Sequence, residues 1–223
     1  MVPQPRNTAA LPGTRPLEPV VYVDFRQHLR TGDIALSRAD GRPSNRLIAL
    51  GTGSPYVHAT MLGWCNEVLM LAEARQWRES HLVTLSSQVK HWPGHYDVYR
   101  VLPPFRPAMA WTAMLRATGT PYGWGLLLRE AVRKVIGRPV ARPGNDPAVD
   151  RPRDCSALVN FACRSGGRVP RPVLADEEVE PGHFADATFA RYVCTLFWTQ
   201  QQADECLRFQ AAQNELSLPR SFS

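Results

Sequence analysis

A histidine, a glutamate and a cysteine stand out in this 223-residue chain as side chains whose types and settings could carry chemistry. Residues 56–64 and 67–74 are two strand-like runs separated by Cys65-Asn66, the pattern of a β-hairpin. With the turn centred on Cys65-Asn66, Trp64 faces Glu67 and His58 faces Glu73. Directly opposed side chains have Cβ atoms about 4.5–5.5 Å apart. At that separation a carboxylate holds one imidazole nitrogen and leaves the other free to act as a base. An ordinary cross-strand ion pair, or a core histidine satisfied by a carbonyl, fits the same two residues.

Asp154-Cys155-Ser156 stands just before the apolar pattern Leu158, Val159, Phe161 and Ala162. This puts Cys155 in the first turn of a helix, where unsatisfied N–H groups and the helix dipole favour a thiolate. The thiolate is the nucleophilic form. A small buried cysteine is the plain alternative, and it is the reading taken for Cys65, Cys163, Cys194 and Cys206. Gly119-Thr120-Pro121-Tyr122-Gly123-Trp124-Gly125 is a punctuated turn carrying two aromatics; alone it marks only the start of a helix. His91 and His95 have ligand-like spacing, but Pro93-Gly94 breaks any helix that would align them, so no metal site is expected. No phosphate loop or nucleic-acid module is present, and nucleic acid is not an expected partner.

The elements that must position these residues read as follows. Residues 1–19 form a flexible leader rich in Pro and polar residues, without the apolar core of a signal peptide. A short helix is expected at 24–30, a strand through Ile34-Ala35-Leu36, and a helical turn or two at 44–50. Residues 81–90 fit neither period clearly. A strand follows at 96–101 and a helix at 107–117 that begins at a proline, which suits the first helical position. A second helix is expected at 123–136. Residues 137–153 hold four prolines and four arginines and form a basic insertion loop. A third helix covers 155–165 and ends at Gly166-Gly167. Residues 170–187 are irregular and acidic, and 189–213 read as partly helical. Strands come first and helices later, which indicates one α+β domain over 20–223.

Bulk composition narrows the class. Apolar residues make up 44% and charged residues 21%, so the chain should fold around a real core. The net charge of +6 favours anionic partners, although nearly all the cations are Arg and only Lys90 and Lys134 are Lys. Five scattered cysteines indicate neither a disulfide framework nor a zinc knuckle. Reduced thiols suit a cytoplasmic location as synthesised. No run approaches the roughly 18 apolar residues of a membrane span.

Taken together the motifs resemble a known family. Pro121-Tyr122-Gly123-Trp124-Gly125 followed by Asp154-Cys155-Ser156-Ala157-Leu158-Val159 is similar to the signature of NlpC/P60 cysteine peptidases. Gly32-Asp33-Ile34-Ala35-Leu36 and the strand around His58, which follow the cysteine in the standard family, here precede it. That order resembles the circularly permuted, YiiX-like branch of papain-fold enzymes. The segment Val179-Glu180-Pro181-Gly182-His183-Phe184 resembles that branch's closing stretch, so the likeness spans roughly residues 30–190. Two departures stand out: Leu126 replaces the second Gly of the usual Trp-Gly-Gly, and the stretch from Tyr122 to Cys155 is longer than usual.

The resemblance implies a permuted papain-like α+β fold, a central antiparallel sheet with the cysteine helix packed on it. It implies Cys155 as nucleophile, His58 as base and Glu73 as the residue that orients it. Tyr122 would help bind the oxyanion, with Trp124, Asp154 and Ser156 at neighbouring motif positions; Asp154 and Ser156 would be structural. The implied reaction is hydrolysis of an amide through a thioester, with peptidoglycan peptides as one substrate and no cofactor. A lipid-directed acyl hydrolase or transferase is an alternative, against which the absence of an Asn-Cys-Glu-His motif counts. A catalytically silent binding module of the same fold is another.

Overall fold

In the computed structural model, residues 18–39, 52–75, 78–123 and 152–217 are described, together with positions 45, 49 and 148. The strands are β1 (Pro19–Val21), β2 (Ile34–Arg38), β3 (Tyr56–Cys65), β4 (Val68–Glu73), β5 (His81–Thr84), β6 (Tyr96–Val101) and β7 (Ala190–Phe197). The α-helices are α1 (Tyr22–Phe25), α2 (Leu85–His91), α3 (Pro107–Arg116), α4 (Cys155–Ser165) and α5 (Gln200–Ser217). Short 3-10 turns lie at Arg26–His28, Asp176–Glu178 and Pro181–Ala185.

The strands form one sheet in the order β1-β7-β6-β2-β3-β4-β5. Every neighbouring pair is antiparallel except β1 and β7, so the sheet is mixed rather than purely antiparallel. The parallel pair is made by Pro19–Val21 against Thr195–Phe197, so the expected leader ends inside a strand; residues 1–17 lie outside the described residues.

Alternation along the strands divides the apolar side chains between two faces. Ile34 and Leu36 of β2 join one core with Ala59 and Met61 of β3, Ala72 of β4, and Trp111, Met114, Leu158 and Ala162 from α3 and α4. Ala35, Leu62, Leu69, Leu71, Val98, Cys194 and Leu196 point the other way, onto Leu85 and Val89 of α2 and Tyr22 of α1. The period of two makes this division automatic once the register is set.

Helices α3 and α4 form as the sequence indicates. Pro107 opens α3, and Asp154 caps α4 with its side chain accepting from the Ala157 N–H at 2.8 Å. The expected helix at 24–30 is instead one turn of α-helix from Tyr22 followed by a 3-10 turn. Residues 81–91 resolve into β5 and α2. The segment read as partly helical from Phe189 begins as a strand. In β7, Tyr192, Val193, Thr195 and Phe197 are β-branched or aromatic, and this strand fills the sheet between β1 and β6. Within the turns expected at 44–50 only positions 45 and 49 are described, both helical; most of the 137–153 loop, and the expected helix at 123–136 beyond Gly123, lie outside the described residues.

The seat of α3 on β3 depends on the missing side chain of Gly63, because an added Cβ would run into the indole of Trp111. Trp111 is itself buried in the core. Gly63→Ala should therefore lower unfolding free energy by about 1–3 kcal/mol through overpacking. Urea denaturation checks this, and the loss should shrink in a Trp111→Leu background. An equal loss in both backgrounds would place the strain elsewhere.

Candidate active site

The ladder between β3 and β4 runs from Cys65–Val68 to Met61–Ala72 and stops there, with His58 and Glu73 just beyond its end. The register differs from the expected one. Cys65 still belongs to the strand, and the turn falls at Asn66-Glu67, where Asn66 takes φ +54. Asparagine tolerates that left-handed conformation better than most residues. The hairpin is thus displaced by two positions, and His58 and Glu73 are diagonal neighbours rather than directly opposed. A two-residue displacement keeps both on the same face. Diagonal side chains about 7–8 Å apart remain within reach of a long one. His58 Nε2 and Glu73 Oε2 stand 3.0 Å apart.

Helix α4 supplies the sulfur. Cys155 is its first residue, 9% exposed, directly after the Asp154 cap. The helix packs against β3 and β4, which carries its N-terminus to the place where those strands part. Cys155 lies close enough to His58 for its charge to act on the ring. Because Nε2 is engaged by Glu73, Nδ1 is the ring nitrogen left for the thiol.

Electrostatics follow from burial and these neighbours. Burial pushes the His58 imidazole down, but Cys155 and then Glu73 outweigh it and lift it to about 10. Burial raises the Glu73 carboxyl, yet His58 and Arg75 hold it below its ordinary value. Asp154 is pushed up to about 6, by burial first and by the charge of Glu177, against the Ala157 and Ser156 N–H groups and His58.

The other motif residues fall around Cys155 to different degrees. Tyr122 pairs with Arg153 in an isolated parallel bridge, and the Gly123 N–H donates to the Arg153 carbonyl at 3.1 Å. The Tyr122 backbone is thereby tied two residues upstream of Cys155. Ser156 is buried, its hydroxyl 3.9 Å from the Cys155 sulfur. Trp124 lies outside the described residues. All five cysteines are free. Burial raises the thiols of Cys163, Cys194 and Cys206.

Two participants were not singled out from sequence. Arg75 Nε lies 2.8 Å from Glu73 Oε1, and His81 Nε2 lies 3.5 Å from the same oxygen. His81 faces Glu73 in the β4–β5 ladder. Its signal was present, since the register rule applied to the first hairpin would find it in the second, but residues 81–84 had no clear period. Arg75 follows Glu73 by two positions, and only its continuation of the strand direction hints at a shared side.

No protein-family model matches the chain, and no curated protein sequence matches it. Among solved structures, the chain is similar to the metalloprotein yiiX from Escherichia coli O157:H7, a DUF1105 protein, at 20% identity and a TM-score of 0.54. The match covers 75% of this chain and 98% of that one. The fold is therefore YiiX-like: α+β, with a mixed seven-stranded sheet. Among the described residues, no group of three or more His, Cys, Asp or Glu side chains is arranged to hold a metal ion, so the donor set does not fit one. His91 instead turns Nδ1 to the Ser87 carbonyl of its own helix at 2.7 Å. No described helix is long and apolar enough to cross a membrane.

The contacts of His58 can be read directly by NMR. In ¹⁵N-histidine spectra His58 should keep both ring protons at pH 8, since its value of about 10 lies above that pH. Cys155→Ala removes the first of the upward influences, and the midpoint should fall by about 1 unit or more. A midpoint near that of a free imidazole in both proteins would mean that neither contact is made in solution.

Proposed function

We propose that this chain is a cysteine hydrolase of the permuted NlpC/P60, papain-like type, cleaving an amide bond through a thioester. One observation carries the reading: His58 pairs with Glu73 and lies beside Cys155, the first residue of α4. A nucleophile, a base and an orienting carboxylate in series form the arrangement of covalent acyl transfer.

In the proposed reaction the Cys155 sulfur attacks the substrate carbonyl carbon. Backbone N–H groups at the start of α4 and the Tyr122 hydroxyl would stabilise the oxyanion. The protonated His58 passes its proton to the departing amine, the C–N bond breaks, and a thioester remains on Cys155. His58, now neutral, takes a proton from water as the water attacks. The C–S bond breaks, releasing the acid and restoring the thiolate–imidazolium pair. Asp154 shapes the site by capping the helix, and Ser156 packs beside the sulfur.

The substrate class proposed is an amide in peptidoglycan peptides. Its support is the Asp-Cys-Ser cell-wall motif, together with a net charge of +6 suited to an anionic polymer. Mass spectrometry of muropeptides and of lipids after exposure to the protein distinguishes this from a lipid-directed acyl hydrolase.

The chemistry is tested with an activated acyl ester. The wild type should carry the acyl group on Cys155 in peptide maps, and Cys155→Ser should give no thioester. Glu73→Gln should lower the acylation rate by about 10-fold or more, because the imidazolium loses its charged partner while retaining a hydrogen bond. Acylation spread evenly over the five cysteines, or unchanged in Glu73→Gln, would overturn the assignment.

A further inference from the structure

The proposed cycle leaves one moment unaccounted for, and the surroundings of Glu73 address it. Once His58 has given its proton to the amine, the imidazole is neutral. Glu73, 1% exposed, would then be a buried carboxylate without the cation it had faced. Such an anion is costly and takes up a proton unless another charge remains beside it.

Glu73 meets its neighbours with its two oxygens divided. Oε2 faces His58 Nε2 at 3.0 Å; Oε1 faces Arg75 Nε at 2.8 Å and His81 Nε2 at 3.5 Å. Arg75 is held in turn: its second guanidinium nitrogen donates to Gln88 Oε1 of α2 at 2.9 Å. The Tyr96 hydroxyl of β6 donates to that same oxygen at 3.1 Å. The charged and titratable groups around Glu73 are thus His58 from β3, Arg75 beyond the end of β4, His81 from β5 and Tyr96 from β6. Cys155 and Asp154 act on it through His58. Among these, Arg75 alone keeps its positive charge whatever step the cycle has reached.

We propose that Arg75 is a positioning residue for the reaction, the permanent counter-ion that keeps Glu73 a carboxylate while His58 cycles between its charged and neutral forms. This rests on the reading of Cys155, His58 and Glu73 as the hydrolytic residues. Arg75 touches neither the sulfur nor the acyl group in this scheme; it acts through Glu73. His81 is the lesser neighbour, being farther away and turning its Nδ1 to the Glu79 carbonyl at 2.8 Å.

The test uses ¹³C-carboxyl NMR of the full chain with Cys155 replaced by Ala, so that no thiolate interferes. With Arg75 present, Glu73 should stay ionised to well below the ordinary glutamate range. In Arg75→Gln, which keeps a donor without the charge, the Glu73 midpoint should rise by about 1 unit or more. Arg75→Lys should restore most of the difference. The side chain of Arg75 is 38% exposed, so the neutral variant should fold; His81→Gln supplies a second comparison and should move the midpoint less. In the Cys155-containing protein, Arg75→Gln should slow acyl-enzyme hydrolysis at mildly acidic pH more than at pH 8. An unchanged Glu73 midpoint, or an effect as large in Arg75→Lys as in Arg75→Gln, overturns the role. If the wild type never acylates at Cys155, the hydrolase reading fails instead, and the Glu73 titration still decides whether Arg75 holds that carboxylate.

Discussion

A carboxylate with almost no access to water is the constraint on which the site depends. Removing Glu73 from solvent costs several kcal/mol if its charge is left alone, and the fold surrounds it with His58, Arg75 and His81. Each comes from a different segment, so the pairing ties the start of β3 and the loop after β4 to β5. Burial raises the carboxyl while His58 and Arg75 lower it, and the lowering prevails. Because the anion survives, the imidazole in front of it is drawn toward its protonated form, and that form suits a thiolate at the head of α4.

The helix answers a second constraint, which is to bring the Cys155 sulfur beside His58 without exposing the core. Residues 155–163 are all buried, and α4 joins α3 on one face of the sheet. Only its N-terminal end meets the strands where β3 and β4 separate. The Asp154 cap does two jobs at this point: it satisfies the Ala157 N–H, and it puts a carboxyl with a raised proton affinity near His58. The opposite face of the sheet is closed by a second core under α1 and α2, which leaves α2 to supply Gln88 to the Arg75 brace.

Most of the site was legible in the sequence because it rests on local periodicities. The helix from Cys155 and the two strands bearing His58 and Glu73 follow from apolar spacing alone, whereas the Asp154 cap shows only in the fold. The register differs by two from that of a turn centred on Cys65-Asn66, since Cys65 pairs with Val68 and Asn66 and Glu67 make the turn. The His58–Glu73 contact survives because a displacement of two retains the face. A displacement of one would have separated the pair. What the sequence hid is non-local. Arg75 and His81 acquire meaning only once β5 pairs with β4, and β7 reads as a strand only when β1 and β6 stand on either side of it. The parallel β1–β7 pair joins segments about as far apart as the chain allows, beyond what any short window carries.

That same pair bears on the proposed permutation, in which the histidine precedes the cysteine. Likeness of fold at 20% identity says nothing of chemistry by itself, which belongs to the site. The proposed chemistry needs β3, β4 and the head of α4 in contact, and it is indifferent to which of them the chain visits first. Reordering of a fold is tolerated when its first and last elements lie side by side, because the chain can then be opened elsewhere without moving the core. Here β1 pairs with β7, and α5 packs against β1, so the first strand and the last helix among the described residues share one edge of the sheet. His58 and Cys155 sit far from that edge in the strand order, on β3 and the helix packed over it. Strand β1 and the His58–Glu73–Cys155 group therefore occupy separate parts of the sheet, so under the proposed permutation the order of the motifs can change while the contacts among them do not.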